Sequence, residues 1–79
     1  MKTELFEKRF GVTAVDKGFI TSDQLVNALR IQIIEEIEKG EHRLIGQILL
    51  NQGLITTKQL DEVLLSLYIQ KDFKKKEPH

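Results

Sequence analysis

The 79-residue chain repeats itself. A shift of 35 residues brings Gly11 onto Gly46, Gly18 onto Gly53, Ile20 onto Ile55 and Thr21 onto Thr56. It also brings Gln24 onto Gln59, Leu25 onto Leu60 and Leu29 onto Leu64, so KGFITSDQL at 17–25 and QGLITTKQL at 52–60 read almost alike. An internal duplication constrains the fold more than any single motif. One supersecondary unit of this length cannot hide its own apolar face, so the two copies must bury theirs together.

Each copy carries the punctuation of two helices around a sharp turn. Gly18 and Gly53 follow apolar-periodic segments, where a left-handed helix terminus favours a residue without Cβ. Thr21 and Thr56 stand at N-cap positions with Gln24 and Gln59 three residues on, the Thr-x-x-Gln capping box. Ile20 and Ile55 precede the caps and Leu25 and Leu60 follow them, the apolar pair that staples the chain across a helix start. This grammar predicts helices over 4–16, 22–38, 43–51 and 57–70, the second ending at Lys39 and Gly40. No strand pattern competes, because apolar residues never alternate strictly. The expected fold is all-α: one compact four-helix domain over 1–70, made of two duplicated helix-turn-helix units with pseudo-two-fold symmetry. Residues 71–79 read as a basic flexible tail.

Helical spacing places Leu25, Val26, Leu29, Ile33 and Ile37 on one stripe of the second helix, and Leu60, Val63, Leu64, Leu67 and Tyr68 on one stripe of the fourth. Phe6, Phe10, Ala14 and Val15, with Leu44, Ile48 and Leu49, complete the expected core. Ile31, Ile34, Leu65 and Ile69 lie off these stripes. Either the helices are buried on more than one side, or these four residues form a surface for a partner protein, a second copy of the chain included.

Composition narrows the function classes. The absence of cysteine excludes disulfides and thiolate metal sites. No run approaches the ~18 apolar residues of a membrane span, and the charged first ten residues lack a signal peptide's apolar stretch, so a soluble cytoplasmic domain is expected. Residues 1–70 hold 8 basic and 10 acidic groups, a net of −2. Nucleic acid is an unfavourable partner for such a body, and Asp23, Asn27, Arg30, Glu35 and Glu38 give the second helix an acidic exposed side. The histidines are His42, in a polar connection, and His79 at the terminus, neither beside a nucleophile in sequence. Glu35, Glu36, Glu38 and Glu41 cluster without calcium-loop spacing, and no Gly-x-x-x-x-Gly-Lys-Ser/Thr phosphate loop exists. No catalytic residue, cofactor or metal is expected.

Residues 9–32, RFGVTAVDKGFITSDQLVNALRIQ, and 43–67, RLIGQILLNQGLITTKQLDEVLLSL, resemble a known tandem pattern. It runs R-x-G, a second Gly seven residues on, then L-x-x-x-L-x-x-Q, and belongs to the N-terminal (MshEN-type) domain of type II secretion and type IV pilus assembly ATPases of bacteria. The resemblance implies a docking domain, and as an alternative one that binds cyclic di-GMP. The ligand-binding residues so implied are Arg9, Gly11, Gly18, Leu25, Leu29 and Gln32 in the first copy, and Arg43, Gly46, Gly53, Leu60 and Leu64 in the second. A guanidinium stacks on guanine, glycines admit phosphate to backbone N–H groups, and leucines bed the purines. The second copy departs from the pattern. Arg43 precedes its glycine by three residues rather than two, Leu67 stands where Gln32 stands in the first, and IIEEIEKGEH lengthens the spacer.

Overall fold

The computed structural model describes the backbone of residues 2–76 and the side chains of residues 5–69. Four helices make up the fold: α1 (Lys2–Asp16), α2 (Ser22–Lys39), α3 (Ile45–Asn51) and α4 (Thr57–Lys76). No strand occurs among the described residues, so the fold is all-α as expected. Of the stretch 71–79, expected to be a basic flexible tail, the backbone of 71–76 continues α4, and 77–79 lie outside the described residues. Lysine is a good helix former, and cations are favourable in a last turn, where the carbonyl ends carry negative partial charge.

The duplicated punctuation folds as duplicated caps. Gln24 N–H donates to Thr21 Oγ1 at 3.1 Å and Thr21 N–H donates to Gln24 Oε1 at 2.8 Å. The same reciprocal pair recurs at Thr56 and Gln59, both bonds at 3.0 Å. At the preceding turns Gly18 and Gly53 take φ of +79° and +75°. Around each, two backbone bonds close the helix end: Gly18 N–H to Val15 O and Phe19 N–H to Ala14 O, then Gly53 N–H to Leu50 O and Leu54 N–H to Leu49 O. This is the Schellman arrangement, in which a left-handed residue lets the chain turn back over its own last carbonyls.

α1 and α3 form the middle of the molecule. Each touches all three other helices, whereas α2 and α4 share no contact among the described residues. The core comprises Phe10, Ala14, Ile20, Ala28, Ile45, Ile48, Leu49, Ile55, Val63 and Leu67. The 35-residue shift pairs eight of these with one another: Phe10 with Ile45, Ala14 with Leu49, Ile20 with Ile55, and Ala28 with Val63. In the first two pairs a large side chain in one copy answers a smaller one in the other, as close packing of two unlike copies demands.

The buried side of α2 differs from the expected stripe. Val26, Ile33 and Ile37 are exposed, and the inward line runs through Leu25, Ala28, Leu29 and Gln32. Phe6, Leu44, Leu64 and Tyr68 are likewise exposed rather than core. The reason is shared by all of them. Two glycines and two alanines bring the helix axes together, so small residues mark the contact lines and several large ones are left outside. Gly46 shows it most directly: a Cβ there would stand 3.1 Å from Leu60 Cδ1 and 3.2 Å from Phe10 Cζ. At the equivalent Gly11 a Cβ would overlap Leu25 Cδ1.

Candidate functional site

A buried polar network ties three helices to the connection before α3. The first residue of α3, Ile45, needs an acceptor for its N–H, and the residue at the N-cap, Leu44, has no side-chain oxygen to offer. Glu7 of α1 supplies it through Oε1, from a site where Glu7 is 5% exposed. Gln32 of α2 sits beside it, donating from Nε2 to Glu7 Oε1 at 3.3 Å and to Arg43 O at 2.9 Å. Arg43 in turn grips Glu35 of α2 in bidentate fashion, Nε to Oε1 at 3.2 Å and Nη2 to Oε2. No buried side-chain nitrogen or oxygen among the described residues lacks a partner. A complete network of this kind fixes register and holds the connection down, because each unmade bond in a buried setting carries a full desolvation cost.

The residues assigned to a ligand from sequence divide by place. Gln32 is buried and bonded as described, and Arg43 is half-buried against Glu35. Gly11 and Gly46 lie beneath Leu25 and Leu60, which are themselves half-buried with Leu29 on the core. Gly18 and Gly53 are the exposed left-handed positions of their turns. Arg9 and Leu64 are exposed. An open groove does exist at the start of α2, lined by Asp23, Gln24, Asn27, Gln52 and Leu54, and none of these belongs to the assigned set. No group of three or more histidines, acids or cysteines among the described residues is placed to hold a metal ion.

No family model, curated protein or solved structure matches the chain.

The four residues assigned to a partner surface also divide. Ile34, Leu65 and Ile69 are exposed, whereas Ile31 is half-buried and packs against the core. Sequence reasoning missed the larger part of the apolar surface because it had placed Ile33, Ile37 and Tyr68 inside. With them, α2 presents Ile33, Ile34 and Ile37, and α4 presents Leu65, Tyr68 and Ile69, each set within two turns of one helix. The signal that could have found them is the small residue: Ala28, not a large aliphatic, marks the line along which α2 meets α3 and α1. No helix among the described residues is long and apolar enough to cross a membrane.

Proposed function

We propose that this chain is a non-catalytic docking module of the bacterial cytoplasm, similar in plan to the N-terminal domain of secretion and pilus ATPases. One observation carries the reading: large apolar side chains cluster in water at Ile33, Ile34 and Ile37 of α2 and at Leu65, Tyr68 and Ile69 of α4. Single exposed aliphatics are ordinary on any protein, but clusters on two helices of so small a domain are the composition of a partner-binding surface.

The alternative, a cyclic di-GMP sensor, has to release groups already engaged. A ligand reading Gln32 would break bonds that hold Glu7 and the Arg43 carbonyl, and one reading Arg43 would part it from Glu35. Two readouts on one isotopically labelled sample separate the functions. Ile34→Glu is expected to abolish retention of a protein partner by the immobilised domain while leaving its fold intact. Titration with cyclic di-GMP is expected to leave the amide spectrum unchanged. Saturable shifts at Arg9, Gly11 and Gln32 would overturn docking in favour of sensing.

A further inference from the structure

Most of the packing in this fold lies between the two repeat copies: α1 and α2 meet α3 and α4 more extensively than either pair meets within itself. The copies are joined by the connection 40–44, between α2 and α3. It turns at Gly40, whose φ of +69° ends α2. There Gly40 N–H donates to Glu36 O at 3.1 Å and Glu41 N–H reaches back to Glu35 O at 3.4 Å. A Cβ at Gly40 would meet nothing within 4 Å, so the left-handed turn, and not any lack of space, calls for the glycine. The rest of the connection, Glu41, His42, Arg43 and Leu44, holds no proline, and glutamate, arginine and leucine are good helix formers. Arg43 latches the turned form through Glu35 and through its carbonyl on Gln32.

We infer that 40–44 is a hinge across which two copies of this chain exchange their second repeats, and that Gly40 holds the hinge turned. With Gly40 in helical backbone, α2 and α3 merge into one helix over 22–51, about 45 Å long at 1.5 Å per residue. On such a rod α3 cannot fold back onto α1 and α2 of its own chain. Each first repeat then takes the second repeat of the other chain and rebuilds the same core, Phe10 of one chain against Gly46 of the other. The exchange is reciprocal, so the dimer closes and offers nothing of this kind to a third chain. Straightening parts Arg43 from Glu35, about two turns away along one helix, and takes the Arg43 carbonyl from Gln32. The short connection adds an effective concentration on the order of mM for closure within one chain, so the unmodified chain is monomeric at micromolar concentration. The inference is independent of the docking reading, because it uses only surface buried in the core.

Gly40→Ala tests this, since alanine is disfavoured in the left-handed turn and favoured in a helix at both hinges of the dimer. Refolded from urea, the full-length variant is expected to dimerise with a dissociation constant about 1,000-fold lower than that of the unmodified chain. Sedimentation reads the mass, and refolding a mixture of labelled and unlabelled chains reads the exchange. Isotope-filtered NOEs between the Phe10 ring and Gly46 are expected to run from one chain to the other. A variant that folds as a monomer at ~100 µM overturns the inference. So does a dimer in which the Phe10–Gly46 contact stays within each chain, which would be association through exposed faces instead. Should Gly40→Ala fail to fold, the unmodified chain refolded at about 1 mM decides: NOEs between chains support the exchange, and their absence overturns it.

Discussion

Gln32 and Leu67 occupy matching positions of the two copies, and both are buried, at 7% and 7% exposure. In the second copy an aliphatic side chain fills that place. In the first an amide fills it and is satisfied by Glu7 and the Arg43 carbonyl. A sequence comparison sees a mismatch, whereas the fold sees one buried position solved twice. Glu7 is the hinge of the first solution, since it also accepts the Ile45 N–H. Glu7→Ala is expected to leave that N–H and one Gln32 bond unmade, lowering unfolding free energy by about 2–3 kcal/mol in a urea titration. Glu7→Gln keeps an amide oxygen as acceptor and should lose about 1 kcal/mol or less. Equal effects from the two substitutions would show that the acceptor is not what matters. Nothing in sequence spacing links residue 7 to residue 45, so this cap was invisible until the helices were in place.

The elements themselves were the most legible level. Capping boxes and left-handed glycines act over three to six residues, and so the order of four helices and both turns could be read directly. The glycines at the helix contacts were harder, because the same residues answer two questions. The resemblance implies a phosphate approach at Gly11 and Gly46, and the structure gives each a packing neighbour. Their substitutions should differ. At Gly46 a methyl meets the Phe10 ring, which is buried and cannot retreat, so Gly46→Ala is expected to destabilise by about 1–3 kcal/mol. At Gly11 the obstacle is the end of the half-buried Leu25 side chain, which can swing aside. The helix-forming gain of alanine over glycine, about 1 kcal/mol, then leaves Gly11→Ala near neutral. Thermal midpoints resolve the two, at roughly 4–8 °C per kcal/mol for a chain of this size.

At the scale of the molecule, the two repeat copies share one core. Ala28 and Val63 come from the second helix of each copy, and Phe10, Ala14, Ile45, Ile48 and Leu49 from the first. Because α1 touches α3 and α4 as well as α2, removing buried volume in one copy loosens the other. Val63→Ala, at a fully buried site, is expected to reduce stability by about 2 kcal/mol while urea unfolding stays a single transition of unchanged slope. Amide protection in α1 should fall together with that in α4. Two transitions, or loss of protection confined to residues 45–76, would mean that the copies fold as separate units.

The sequence by itself determined the helices, their caps and the duplication, because these rest on backbone propensities and hydrogen bonds between near neighbours in the chain. It also carried the full set of large apolar residues. Only the tertiary structure decided which of them face inward. Burial follows from how closely the helix axes approach, and the buried small residues Gly46, Ala14 and Ala28 permit that approach, which periodicity along one helix does not reveal. The same approach turned Ile33, Ile37 and Tyr68 outward and closed Gln32 and Arg43 into bonds with Glu7, Glu35 and the chain before α3.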